Sequence, residues 1–175
     1  VRLSVVTDVL EHDVDSILLE KPLANSLEEA EAIADALSEA GVRGTVCHQK
    51  PWGDDLRALS AWLADDRIGD LRRFVATTKH GLSAQGTHLI HALNWLVGRQ
   101  PTEVHAFAAG EAGLAPEGHV EPDDAVVELT YGDALRAFLH EGVSAPDEPA
   151  QAGTFSLEYR IDAVGTRGTA GMVLG

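Results

Sequence analysis

The 175-residue chain carries 13 lysine and arginine residues against 28 aspartate and glutamate, a formal net charge of -15. That balance repels phosphate backbones and anionic lipid, which argues against nucleic-acid or membrane partners, although one local cationic site can still hold a few phosphates. With 45% hydrophobic residues the composition is that of a globular protein with a real core, and the single Cys47 leaves neither an intrachain disulfide nor a cysteine-rich zinc site.

No signal-peptide pattern opens the chain and no apolar run approaches membrane-spanning length, so a cytoplasmic, reducing location is expected. The chain begins at Val1 rather than Met, which reads as a fragment, a processed chain or missing upstream sequence. Residues Val14 to Leu19 form a short apolar run of the kind found in buried parallel strands, ended by Glu20-Lys21-Pro22. Ser26 and Glu29 then make a capping box. Leu27, Ala30, Ile33, Ala34 and Leu37 fall on one helical face, and Gly41 supplies the stop. Val42 to Cys47 reads as a second strand, so the opening is a β-α-β unit. The stretch before it, Val1 to Asp13, is too short to hold the rest of such a domain.

The texture changes at His48-Gln49-Lys50-Pro51-Trp52. A helix is predicted from Asp54, with Leu56, Leu59 and Leu63 inward and Gly69 after its end, then a strand from Leu71 to Thr78. Another helix begins near Gly86-Thr87 and ends before Gly98. Strand patterns follow at 104–108, 125–129, 135–139 and 155–163, the last strictly alternating, which predicts one wet sheet face. Tyr131-Gly132-Asp133 signals a hairpin, and the stretches 111–122 and 142–153 read as loops. The fold class is thus α/β plus α+β: the end of a Rossmann-type β-α-β unit, then a domain with an open, mainly antiparallel sheet and helices on one face. The expected boundaries are 1–47 for a remnant of a dinucleotide-binding domain and 48–175 for a substrate and oligomerisation domain.

Four landmarks carry a family resemblance: Leu19-Glu20-Lys21-Pro22-Leu23-Ala24, Val46 to Trp52, Asp66 to Leu71, and Gly86-Thr87-His88 through Leu96. In this order they resemble the glucose–fructose oxidoreductase/inositol dehydrogenase (Gfo/Idh/MocA-type) family, and Val164 to Gly168 is similar to its late strand and turn. The resemblance implies an oxidoreductase using NAD or NADP on a sugar or polyol hydroxyl, and a homo-oligomer formed through the C-terminal sheet. It makes Lys21 and His88 the catalytic residues. Glu20, Lys21, Pro22 and Gln49 would contact the cofactor, and His91, Lys50 and Trp52 the substrate. Oxidising a carbinol requires a base for the hydroxyl proton and a cation for the developing alkoxide, which suits a lysine and a histidine.

Each residue has a plainer reading. Lys21-Pro22 alone is a solvated lysine ending a strand, and His88 and His91 alone are a helix cap and a wet face, with Leu89, Ala92, Leu93 and Leu96 on the core side. A metal-dependent lyase or hydrolase using both histidines lacks a third ligand at recognisable spacing, so no metal is predicted. Cys47 reads as core filler, and Trp52, Trp62 and Trp95 as core or cleft wall. Asp65-Asp66 and Asp123-Asp124 read as solvated pairs.

The chain also departs from the family's pattern. Ala84 stands where an aspartate is usual four residues before His88, His91 replaces another aspartate, and Lys50 replaces a frequent arginine. No Gly-x-Gly-x-x-Gly follows a strand, and the late Gly165-to-Gly171 run reads as a hairpin. These departures support an alternative: a non-catalytic, carbohydrate-binding or dimerisation relative.

Overall fold

The computed structural model describes residues 2–110, 113–114, 120–132, 134–145 and 159–174. The chain divides into two units, Val1–His48 and Gln49–Gly175.

The first unit runs α1 (Arg2–Leu10), β1 (Ser16–Leu19), α2 (Leu27–Glu39), β2 (Arg43–Val46). The two strands are parallel, with Ser16 opposite Arg43 and Leu19 opposite Val46, which requires the crossover that α2 provides. The Ser26 hydroxyl accepts from the Glu29 N–H at 3.2 Å, as the capping box predicts. The Glu29 carboxylate accepts from the N–H groups of Asn25 at 3.4 Å and Leu3 at 3.3 Å. It therefore ties the head of α2 to the first turn of α1. Helix α1 lies before Asp13, where the sequence shows no strong helical period. Nine residues are too few for an isolated helix, so α1 depends on docking Val6 against Leu19, Ile33 and Leu37.

The second unit carries α3 (Asp54–Ala64), β3 (Leu71–Thr78), α4 (Thr87–Val97), β4 (Glu103–Ala109), β5 (Gly113–Leu114), β6 (Val120–Glu121), β7 (Asp124–Tyr131), β8 (Leu135–Gly142), β9 (Tyr159–Gly165) and β10 (Thr169–Leu174). Six strands form one sheet in the order β10-β9-β3-β8-β7-β4. Every pairing in it is antiparallel except β3 with β8. The inward parity of each strand builds the core: Phe74 and Ala76, Val127 and Leu129, Ala137 and Leu139, Ile161 and Ala163. Leu56 and Leu59 of α3 and Leu89, Ala92 and Leu93 of α4 join the same cluster. Full burial of each larger side chain is worth about 1.5–3 kcal/mol.

Two predicted turns hold. Gly165 N–H donates to the Gly168 carbonyl at 2.8 Å, so the late glycine run is the β9–β10 hairpin. Tyr131 and Leu135 end and begin paired strands around Gly132, whose φ is 66°; Asp133 lies outside the described residues, as do Phe155 and Leu157 of the predicted last strand. Other readings change. The predicted loop at 111–122 contains the short β5–β6 pair; two-residue strands have no periodicity to betray them. Asp66 is not simply solvated: Arg167 pairs with its carboxylate at 2.7 Å, although such an exposed pair adds little stability. Trp52, Trp62 and Trp95 are 75%, 50% and 40% exposed rather than core, and Arg57 and Arg67 lie over the first two. The outer sheet face is only partly wet, because Phe107, Val126 and Phe138 are exposed beside the Arg136–Glu128 and Arg160–Asp162 ion pairs. No helix among the described residues is long and apolar enough to cross a membrane.

Candidate functional site

In the first unit, Glu20, Lys21 and Pro22 follow the C-terminal end of β1. Carboxyl ends of parallel strands are where open α/β sheets take ligands. The Arg2 guanidinium donates to the carbonyls of Glu20 and Pro22 on either side of Lys21, and the Lys21–Pro22 peptide is cis. Glu20 is exposed, whereas Lys21 and Pro22 are half-buried. Cys47, half-buried, gives its N–H to the Leu19 carbonyl at 2.7 Å and extends the strand pairing.

The second unit gathers its polar residues at the head of α4. A π-helical turn, Leu82–Gly86, delivers the chain into that helix, and a 3₁₀ turn, Lys50–Trp52, touches it. His88, in the first turn of α4, is 5% exposed. That burial does not fit the plainer reading of His88 as part of a wet face. Its ring meets Tyr159 edge-on, centroids 6.2 Å apart and planes at 70°. Lys50 Nζ lies 4.4 Å from the centroid of the same tyrosine ring, a cation–π contact. The Tyr159 hydroxyl donates to Gln85 Oε1. One tyrosine thereby connects the 3₁₀ turn, the π turn and the catalytic candidate.

Burial acts on the proton equilibria here. Desolvation lowers the Lys50 pKa from the ordinary lysine value, and it lowers that of His91. The Tyr159 phenol is pushed up to about 12 by burial, so it stays a hydrogen-bond donor throughout the physiological range. Gln49 is exposed; its carbonyl accepts from the Trp52 N–H at 3.0 Å, which forms the 3₁₀ turn. Trp52 points to solvent. Ala84 is half-buried in the π turn.

Two acids not singled out from the sequence sit under this turn. Glu121 Oε2 accepts from the N–H and the hydroxyl of Ser83 at 2.8 and 2.6 Å. Glu141, inward on β8 and 1% exposed, has no hydrogen-bond partner for either carboxylate oxygen among the described residues. Burial, and then the charge of Glu121, raise its pKa to about 7. Register puts Tyr159 beside Thr78 and Thr78 beside Glu141, so a polar row crosses three strands beneath the head of α4. The signal for Glu141 was its parity with Ala137 and Leu139; the predicted strand stopped two residues short of it. Among the described residues no group of three or more His, Cys, Asp and Glu is placed to hold a metal ion.

Comparison with known proteins follows the same lines. Residues 56–171 match the GFO/IDH/MocA C-terminal domain family. No curated protein matches the chain in sequence. Among solved structures, the WlbA dehydrogenase from Bordetella pertussis, in complex with NADH and UDP-GlcNAcA, is 20% identical with a TM-score of 0.74 over 99% of this chain and 55% of its own. A myo-inositol dehydrogenase from Corynebacterium glutamicum is 16% identical with a TM-score of 0.71, covering 98% and 53%. An oxidoreductase from Agrobacterium radiobacter, in complex with NAD+, L-tartaric acid and magnesium, is 18% identical with a TM-score of 0.74, covering 96% and 51%. The chain spans about half the length of the solved structures it matches.

Proposed function

The chain belongs to the GFO/IDH/MocA family, and we propose from that premise that it is the substrate-side half of an NAD(P)-dependent oxidoreductase acting on a sugar or polyol hydroxyl. The observation that supports this most is the group of buried His88, Tyr159 and Gln85 with half-buried Lys50 at the head of α4. A buried imidazole and a partly desolvated ammonium against one tyrosine ring are suited to take a hydroxyl proton and to favour the alkoxide.

The residues after β1 suit the nicotinamide end of the cofactor, because backbone carbonyls on both sides of Lys21 are held by Arg2. When bound, the nicotinamide supplies the hydride acceptor or donor. In the oxidative direction the carbinol C–H gives up its electron pair, the O–H proton passes to the protein, and a carbonyl remains. We assign Lys21 and His88 to that proton and the developing charge. His91, Lys50 and Trp52 bind substrate hydroxyls and the sugar face, and Glu20, Pro22 and Gln49 border the cofactor. The test is NAD(P)-linked oxidation of a panel of polyols and aldoses by the protein from its source; binding of a sugar without turnover would favour the non-catalytic reading, which Ala84 supports.

The pyrophosphate requires a glycine-rich turn at a helix N-terminus, and the sequence has none after a strand. Titration of the 175-residue chain followed by nicotinamide fluorescence is therefore expected to show no saturable micromolar binding of NADH or NADPH. Such binding would overturn this account of the cradle.

We also propose self-association through the outer sheet face. Phe107 lies opposite Val126, and Glu128 opposite Phe138, so the exposed apolar groups cluster near the β4 edge with charged pairs beside them. Light scattering is expected to show a dimer or larger, and Phe107→Asp to shift it toward monomer. A strictly monomeric wild-type profile would count against this interface.

A further inference from the structure

We propose that Glu141 is a positioning residue, whose buried carboxyl props the π turn through Gly86 and so fixes Gln85 and His88 at the head of α4. The space a side chain at Gly86 would need is filled by this carboxyl: a Cβ there would stand 2.6 Å from Glu141 Cδ. Gly81, at the other end of the turn, is closed in the same way by Glu121, whose Oε2 would be 2.8 Å from a Cβ. The turn therefore rests on two carboxyl groups, and they are held differently. Glu121 is partnered by Ser83 and half-buried. Glu141 is 1% exposed and its oxygens have no donor among the described residues.

A fully buried carboxylate with no donor and a like charge beside it is stable only when protonated. Among the described residues, the titratable groups on the surrounding elements offer it no cation. Glu121 on β6 acts on it by repulsion. Asp124 on β7 is engaged by the N–H and hydroxyl of Ser144. His140, its neighbour on β8, is 3.1 Å from the Ser144 hydroxyl. Lys79, past the end of β3, is exposed, and His80 after it is half-buried. On α4, His88 stacks edge-on with Tyr159, and the His91 pKa is lowered by its own burial. Ionisation of Glu141 thus places a second charge next to Glu121 against the backbone of the turn. The turn must shift to admit water, and Gln85, bonded to Tyr159, shifts with it.

The sign follows from linkage. The folded pKa is raised from 4.5 to about 7, so the stability this group contributes is full below pH 4.5 and is lost as pH rises through 7. Its role as a positioning residue for catalysis rests on the reading of His88 above. The experiment does not depend on turnover, so the two can fail separately.

Thermal unfolding and NMR of the Tyr159 ring are followed from pH 4 to 9 in the 175-residue chain, its E141Q variant and its E121Q variant. Tyr159 does not ionise in this range, so its ring signal reports the turn. Wild type is expected to lose on the order of 5–10 °C of Tm relative to E141Q between the ends of that window. Its Tyr159 signal should move with a midpoint near 7 while Tyr131 stays still. E141Q should abolish the movement, and E121Q should lower its midpoint by removing the like charge. A Tyr159 signal invariant with pH in wild type overturns the proposal, whether or not E141Q folds. So does an E121Q profile that superimposes on wild type.

Discussion

In the protein from its source, Lys21→Met and His88→Gln are each expected to lower kcat/KM for polyol oxidation by on the order of 10²–10⁴. The two losses should fall mainly on kcat, because proton transfer and alkoxide stabilisation operate in the transition state rather than in ground-state binding. Glutamine at 88 keeps a polar side chain of similar length in a site that is 5% exposed, so its Tm should stay close to wild type. Alanine there would confuse a chemical loss with a cavity. If both residues serve one proton and one developing charge, the double variant should be little worse than either single variant. Additive losses would instead assign them to separate steps. Unchanged kcat in His88→Gln would remove the imidazole from the chemistry and leave it a core residue.

The same surroundings explain which parts of this site were legible in the sequence. The capped α2 announces itself through Ser26, Glu29 and the spacing of Ile33 and Leu37, and the end of β1 through Pro22. Strand β3 and helix α4 show their periods over eight and eleven residues. Helix α1 has few turns, and its signal was the spacing of Leu3, Val6 and Leu10. The burial of His88 was not legible. Helical spacing put it beside His91, but the π turn before Thr87 and the Tyr159 ring decide its surroundings. The row Tyr159, Thr78, Glu141 was still less accessible, because it exists only through the parallel pairing of β3 with β8 and the antiparallel pairing of β3 with β9. Glu141 looks like an ordinary acid at a strand end until register places it under Gly86. There its ionised form costs on the order of 3 kcal/mol, from a pKa of about 7 against 4.5. That is a large part of the total stability of an ordinary domain.

The position next to Glu141 carries the largest stability effect expected of a single methyl group. Gly142 has a φ of 113°, a region that only glycine enters readily. A Cβ there would lie 2.7 Å from Asp124 Cα and closer still to the Asp123 carbonyl oxygen. Both are backbone atoms, so no rotamer change relieves the clash. The carbonyl is already used, accepting from the Val143 N–H at 3.1 Å, and Asp124 accepts from the Ser144 N–H at 2.8 Å. Pushing β7 away would break the turn that closes β8 behind Glu141. Backbone strain and overpacking each cost about 1–3 kcal/mol, so Gly142→Ala should destabilise by on the order of 3 kcal/mol. For a chain of this size that lowers Tm by roughly 6–12 °C. Gly168→Ala is the control, since a Cβ there meets nothing within 4 Å, and it should change stability by less than about 0.5 kcal/mol. Equal melting of the two variants would mean that β7 and β8 separate at Gly142 without cost, and the close packing described around Glu141 would fall with it.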